Sequence, residues 1–296
     1  MHRTRFAPSP TGAMHLGHAR THLLAWLRAR QLGGRVLMRI EDLDRQRTRA
    51  GAEEALLRDH EWLGLEWDEG PVRQSQRTDF YASALSELRD LGLVYACSCT
   101  RREVAAVSAP HEDEPVYPGT CRSGPRHPER KTATRFRMPD TSPGFTDIYA
   151  GVFEPGRVRG DFIVRRSDEL FAYQLAVVVD DAEQGVTEVV RADDLLSSTP
   201  RQLALYAALG LTAPSFAHVP LVLGPTGARL AKRDGAMGIA TLREAGVTRE
   251  QLLGRLAFSL GLTASEAPTS LDELLGADLS TIRREPAVID LPEAAS

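Results

Sequence analysis

Two histidines three residues apart, set behind a turn of proline, serine and glycine, are the strongest chemical signal in the chain. They lie in Pro8-Ser9-Pro10-Thr11-Gly12-Ala13-Met14-His15-Leu16-Gly17-His18. At that spacing on a helix, both imidazoles project from the same side of one turn. Gly17 leaves room for a ligand against the backbone, and the first helical turn carries N–H groups that favour anions. Two donors aimed at one point beside such a terminus suit charge developing on a transferring α-phosphate. A helix capped by two surface histidines is the competing reading. The full Pro-Ser-Pro-Thr-Gly context argues against it.

A second signal is Arg229-Leu230-Ala231-Lys232-Arg233, just after the turn Gly224-Pro225-Thr226-Gly227. Of the 36 basic residues only Lys131 and Lys232 are lysine; the rest are arginine. Where arginine fills nearly every basic position, a surviving lysine hints at a place that needs an ammonium. On a glycine-bearing loop it can close over polyphosphate and neutralise it as the transition state forms. Taken alone the loop reads as solvated basic surface; the paired histidines call for such a partner and reverse that reading.

The three cysteines occur as Cys97-Ser98-Cys99 and, after Tyr117-Pro118-Gly119-Thr120, Cys121. Residues 97–127 are rich in Pro, Ser, Glu and Arg with little periodicity, so burial alone would hold them poorly. Zinc–thiolate bonds can hold such a segment. An odd count and a Cys-x-Cys pair speak against a disulfide framework. Three unpaired thiols are the alternative. A closed tetrahedron requires a fourth ligand, for which His111, Asp113, Glu114 and His127 are conventional choices.

These groups need elements to position them. Strands are expected over Arg3–Ala7 and Arg35–Ile40, with a helix from about His15 to Gln31 between them, where Leu16, Ala19, Leu23, Leu24 and Leu27 recur at helical spacing. Helices follow near Ala52–Leu63 and Thr78–Leu91. After the 97–127 break come a hairpin near Asp161–Phe171, a helix after Tyr173 and a strand Val186–Arg191. A helix near Pro200–Leu209 and a strand Ala217–Leu223 complete the alternation. That order is the pattern of an α/β fold with a parallel sheet covered by helices. Beyond about Thr241 only short helices and a polar tail are expected.

With a formal net charge of −4 the chain is not an obvious nucleic-acid binder by bulk electrostatics, though a net value does not speak against a small, locally basic RNA contact surface. Nothing behind Met1 resembles a signal peptide, and the longest aliphatic run, Leu175–Val179, is far too short to span a bilayer. A cytoplasmic protein with no membrane partner is expected.

Residues 5–18 and 229–233 resemble the paired signature motifs of class I aminoacyl-tRNA synthetases. Arg5-Phe6-Ala7-Pro8-Ser9-Pro10-Thr11-Gly12 and Arg39-Ile40-Glu41-Asp42-Leu43-Asp44 narrow the resemblance to the glutamyl branch. It runs over roughly residues 3–240. The second motif departs from the family pattern at Arg229 and Ala231, where lysine and serine are usual; Lys232 aligns with its important lysine. The resemblance implies a Rossmann-like catalytic domain, His15, His18 and Lys232 as catalytic residues, and those three with Gly17 as the ATP site, with Mg2+. For glutamate it implies Arg5, Phe6, Ala7, Pro8 and Ser9 together with Glu41, Tyr173 and Arg191. That set makes physical sense. Arg5 and Arg191 supply cations for two carboxylates, Glu41 takes the ammonium, and Tyr173 hydrogen-bonds and walls the ligand. Arg5, Glu41 and Arg191 fall at strand ends, where parallel sheets bind ligands.

A full glutamyl-tRNA synthetase carries a large anticodon-reading region, and residues 241–296 are too few for one. The chain therefore resembles the glutamyl-Q tRNA(Asp) synthetase family. That implies tRNA-independent activation of L-glutamate by ATP and transfer to queuosine at the wobble position of tRNA(Asp). It also implies a structural zinc on Cys97, Cys99, Tyr117 and Cys121, with His127 as the alternative fourth ligand. The expected division is a catalytic domain of residues 1–96 and 128–240, a zinc-binding insertion of 97–127, and a short helical region of 241–296, working as a monomer. A short glutamyl-tRNA synthetase, an amino-acid:amine ligase of the same fold, and an inactive RNA- or protein-binding paralogue are the competing readings. Intact His15, His18 and Lys232 argue against the last.

Overall fold

The structure is a computed structural model that describes residues 1–107, 116–224 and 238–289. Lys232 with its Arg229–Arg233 segment, the turn residues 225–227, the candidate ligands His111, Asp113 and Glu114, and the tail 290–296 lie outside the described residues.

The chain opens with β1 (Arg3–Phe6), α1 (Leu16–Gln31), β2 (Arg35–Ile40), α2 (Ala52–Leu63) and β3 (Glu69–Arg73). Next come α3 (Thr78–Asp90), β4 (Val94–Cys97), α4 (Arg101–Val107), β5 (Ala133–Phe136), β6 (Phe145–Asp147), β7 (Gly151–Phe153) and β8 (Phe162–Arg165). Then follow α5 (Tyr173–Glu183), β9 (Glu188–Ala192), α6 (Thr199–Ala208), β10 (Ser215–Val219) and β11 (Val222–Leu223). The described chain ends with α7 (Ile239–Glu244), α8 (Arg249–Leu260), α9 (Leu271–Leu274) and β12 (Ala287–Val288).

β1, β2 and β3 pair in parallel, as do β9 and β10. The Thr187 N–H donates to Arg3 O at 2.9 Å and sets β9 beside β1. The order across is thus β3-β2-β1-β9-β10, with the direction of winding reversing between β1 and β9. Such a switch point opens a crevice at the C-terminal strand ends, the usual ligand site of open α/β sheets.

Alternate residues of the strands feed two cores. Phe6, Met38, Val190 and Ala217 pack with α1 and α8, while Val189 and Phe216 pack with α5 and α6. Arg5, Arg39, Arg191 and His218 fall on the α5–α6 face by the same two-residue period. α1 is buried almost all round, because α8 covers the side away from the sheet. Its buried Arg20 donates to Ser259 Oγ at 3.0 Å on α8 and to the Pro220 carbonyl between β10 and β11.

The expected hairpin is present in short form: Arg165 bridges Phe171, the Arg166 N–H donates to Leu170 O at 2.8 Å and the Ala172 N–H to Val164 O at 2.9 Å. Its first arm, β8, also pairs antiparallel with β5, which pairs with β4. Two expectations are corrected. The strand expected over Ala217–Leu223 is split at Pro220, which has no N–H to give to a ladder. β11 then pairs with β12, so a strand accompanies the helices beyond residue 241; α8 and α9 each begin with a capping box, from Thr248 and Ser270. Among the described residues no helix is long and apolar enough to cross a membrane.

Candidate active site and metal centre

His15 is the N-cap of α1, and the rings of His15 and His18 stack with centroids 3.8 Å apart. A Cβ at Gly17 would come within 3.2 Å of the His15 ring, so this glycine clears space for that imidazole as well as for a ligand. His15 also forms an isolated bridge with Gly238, and the Ile239 N–H donates to Met14 O at 2.9 Å. The described chain therefore resumes at Gly238, after residues 225–237, against the paired histidines. Leu221, near the other flank of that stretch, follows the Pro220 carbonyl held by Arg20.

Arg5, Glu41 and Arg191 converge at the switch point from the ends of β1, β2 and β9. Pro8 of the opening turn is fixed there too, its carbonyl accepting the Glu41 N–H at 3.0 Å. Phe6 is wholly buried beneath the turn, Ala7 is half-buried and Ser9 is exposed. Tyr173 opens α5, half-buried, with its hydroxyl 3.4 Å from Arg191 NH1.

Two acidic residues absent from the expected site, Asp180 and Asp181 of α5, anchor this cluster. Asp181 Oδ1 accepts from Arg39 NH1 at 2.6 Å and from Arg5 Nε at 3.4 Å. Arg39, also unassigned from sequence, gives its NH2 to Glu41 at 3.2 Å. Asp180 accepts from Arg77 Nε at 2.6 Å, Gln74 at 2.8 Å and Tyr81 at 2.8 Å. Burial raises the Glu41 carboxyl above its ordinary range, against the pull of Arg39 and Arg5. Burial likewise lowers Arg191, while Tyr173 and Asp181 act to raise it.

Arg191 differs from its neighbours in having no carboxylate within ion-pairing distance among the described residues. Its guanidinium meets only neutral acceptors: His218 Nε2 at 3.0 Å, Thr199 Oγ1 at 2.8 Å, Tyr173 Oη at 3.4 Å and Leu195 O at 3.5 Å. Arg5, Arg39 and Arg77 pair with Glu41, Asp180 and Asp181, and Arg191 shares in none of these ion pairs. A buried guanidinium of this kind favours an anionic ligand.

Beyond β4, the sulfurs of Cys97, Cys99 and Cys121 lie within 4.8 Å of one another, Cys99 and Cys121 at 3.6 Å. The Tyr117 hydroxyl is 3.3 Å from Cys97 Sγ and 3.8 Å from Cys99 Sγ. A Zn–S bond of about 2.3 Å at tetrahedral angles places sulfurs about 3.8 Å apart, so this donor set fits the metal. The His127 ring faces Glu103 and Glu129 instead, at 3.8 and 3.5 Å. Burial pushes the Cys99 thiol up to about 11. At Cys121 burial is outweighed by hydrogen bonds from the Arg126 N–H and Tyr117, which bring it down to about 6. Arg135 donates to Cys97 Sγ at 3.2 Å and stacks 3.8 Å over the Tyr117 ring, while burial and the neighbouring thiols push the Tyr117 hydroxyl well above its ordinary value.

The fold and sheet order are those of a class I synthetase: the family described as tRNA synthetases class I (E and Q), catalytic domain, matches residues 1–277. It is a family of ligases whose fold binds ATP. Within it, the chain is 50% identical to the glutamyl-Q tRNA(Asp) synthetase of Symbiobacterium thermophilum, over 96% of this chain and 95% of the relative. It is 51% identical to the one from Deinococcus radiodurans, over 92% and 94%. The chain belongs to the glutamyl-Q tRNA(Asp) synthetase family. A glutamate tRNA ligase from Elizabethkingia meningosepticum, solved in complex with its amino acid, superposes with a TM-score of 0.83 at 31% identity, covering 98% of this chain and 67% of that one.

Proposed function

We propose that this chain activates L-glutamate with ATP and Mg2+, without tRNA, and transfers it to queuosine at the wobble position of tRNA(Asp), in the cytoplasm. The α-carboxylate attacks the α-phosphorus and pyrophosphate leaves; a hydroxyl of the modified base then attacks the carbonyl of the adenylate, forming an ester and releasing AMP and a proton. The observation that carries the amino-acid half is buried Arg191 with its uncompensated charge. Glutamate, with two carboxylates and one ammonium, offers Arg191 the carboxylate it lacks.

In this reading Arg191 and Arg5 receive the two carboxylates, Glu41 takes the ammonium, and Tyr173 with Phe6, Ala7, Pro8 and Ser9 walls the ligand. His15, Gly17 and His18 lie over the phosphates with Lys232, whose ammonium stabilises the charge passing to pyrophosphate. Cys97, Cys99, Tyr117 and Cys121 hold a structural zinc that fastens residues 97–127, between the two catalytic stretches 1–96 and 128–240. Of the region 241–296, α8 and α9 pack behind α1. The acceptor is supported by the names of the relatives that the chain matches over nearly their whole length.

The test has two stages. Pyrophosphate should exchange into ATP with glutamate alone and not with glutamine, whose amide would leave a buried guanidinium without its anion. Equal exchange with both removes the two-arginine account. Labelled glutamate should then enter tRNA(Asp) bearing queuosine and not tRNA(Glu), and nuclease mapping should place the label in the anticodon loop. Label on the 3′-terminal adenosine would instead make the protein a short glutamyl-tRNA synthetase.

A further inference from the structure

Arg191 and His218 are register partners on the adjacent parallel strands β9 and β10, so their side chains leave the same face side by side. His218 is 1% exposed and Arg191 5%, and Arg191 Nε lies 3.0 Å from His218 Nε2. On the far side of the ring, His218 Nδ1 is 2.6 Å from Asp147 Oδ2. Asp147 is itself 2% exposed and fixed by backbone N–H groups of Tyr149 and Ala150 at 2.9 Å and of His218 at 3.0 Å.

The proton positions follow. A carboxylate in contact with three N–H donors is an acceptor, so Nδ1 of His218 carries the proton. Nε2 is then a bare lone pair, which is what the Arg191 Nε–H requires. Thr199 Oγ1 takes NH2 at 2.8 Å, leaving NH1 as the end facing Tyr173 and the crevice.

The choice of a ring rather than a carboxylate as the acceptor has an electrostatic consequence. A carboxylate bonded straight to Arg191 would orient it and also neutralise it. Here the negative charge sits one imidazole away: it fixes the tautomer, the tautomer fixes the guanidinium, and the positive charge stays available to an incoming anion. Arg5, which shares Asp181 with Arg39, lacks this arrangement.

We propose that Asp147 and His218 are positioning residues that hold Arg191 in place as an uncompensated carboxylate receptor, and thereby set the preference for glutamate over glutamine. This rests on the reading that Arg191 binds a glutamate carboxylate. Both residues are buried and reach the crevice through Arg191, so the loss should appear in glutamate recognition and not in ATP use.

The experiment is glutamate-dependent pyrophosphate exchange, with circular dichroism melting to monitor folding. His218→Leu removes the acceptor and should raise the KM for glutamate about tenfold or more, the scale of one hydrogen bond to a charged group. The KM for ATP and kcat should move less than about threefold on that scale. His218→Gln, whose Oε1 can take the place of Nε2, should restore most of the glutamate KM. Asp147→Asn creates no cavity but donates to Nδ1 and turns Nε2 into a donor facing Arg191, so it should behave like His218→Leu. Arg191→Leu is the reference. If it leaves the glutamate KM unchanged, the glutamate reading itself fails and this proposal with it. If Arg191→Leu raises the glutamate KM while folded His218→Leu and Asp147→Asn do not, the positioning pair alone is refuted. Equal behaviour of His218→Gln and His218→Leu also refutes it, since a packing role would not distinguish an acceptor from a methyl group.

Discussion

His22 and His60 are hydrogen-bonded to each other in the core, Nδ1 to Nε2 at 2.8 Å, directly beneath the stacked pair of His15 and His18. His60 Nδ1 donates to Leu56 O at 2.7 Å, so its Nε2 is the acceptor and His22 Nδ1 the donor. Phe6 packs against both rings, with centroids 4.8 and 4.9 Å away. Both imidazoles are held neutral. Burial lowers His60 to about 4 and His22 well below its usual value, the latter with help from the charge of His60 when protonated.

This pair predicts acid sensitivity with a definite sign. Below the unfolded value of about 6.5 the unfolded chain binds protons that the folded one refuses, so stability is full above that pH and is lost as pH falls through about 4. His60 alone accounts for about 3 kcal/mol over that window. Urea melts at pH 7 and pH 5 should show the loss. His22→Phe with His60→Leu should flatten it, because two apolar groups replace both partners. His60→Leu alone should cost about 1–3 kcal/mol at pH 7 by stranding the His22 N–H. A double variant with the full acid slope of the wild type would mean the pair is not its source.

Glu41→Gln keeps the shape of the crevice and removes the charge assigned to the ammonium. The KM for glutamate should rise about tenfold or more, with the KM for ATP little changed. Arg39, whose NH2 then faces an amide oxygen, still donates from NH1 to Asp181 at 2.6 Å, so the melting temperature should move little. Isothermal titration with glutamate and steady-state exchange both read this out. Unaltered glutamate binding would take Glu41 out of the site.

How far the site was legible follows from where each partner comes from. Arg5, Glu41 and Arg191 end strands whose apolar runs are plain in the sequence, so the residues at the C-terminal edge could be named. Arg39 could not, because Val36, Met38 and Ile40 mark one face and leave Arg39 looking like a solvent-side residue. The opposite face is covered by α5, and Arg39 is wholly buried against Asp180 and Asp181. Two adjacent aspartates ending the apolar run Leu175–Val179 were the available clue. β3 went unread because Gly70-Pro71 reads as a turn, yet an edge strand tolerates proline. The β4-β5-β8 sheet joins strands far apart in sequence, and nothing local encodes that pairing.

Zinc removal makes a separate prediction. Elemental analysis of protein prepared without chelator should give one zinc per chain, lost in Cys97→Ser and Cys121→Ser. His127→Ala should retain the metal, since that ring faces Glu103 and Glu129, whereas Tyr117→Phe should bind it more weakly. A strong chelator should lower the melting temperature, because the small cluster of Cys97, Val104, Tyr117 and Cys121 has little apolar surface of its own. Retention of zinc by Tyr117→Phe and its loss from His127→Ala would reverse the assignment of the fourth ligand.

Lys232 carries the last prediction. Gly238, which is six residues beyond Lys232 in sequence, is bridged to His15. An ammonium that meets the phosphates chiefly as charge passes to pyrophosphate stabilises the transition state more than the bound substrates. Lys232→Ala should therefore cut the rate of adenylate formation by about a hundredfold or more while leaving the glutamate dissociation constant nearly unchanged. His15→Ala should follow the same pattern. Lys232→Arg tests the hint from composition: if a compact point charge is what the phosphates require, the guanidinium should recover only part of the rate. Rapid-quench measurement of pyrophosphate release separates the two effects. A Lys232→Ala enzyme that forms adenylate at the wild-type rate, or fails only through weaker glutamate binding, would show that this lysine has been given the wrong role.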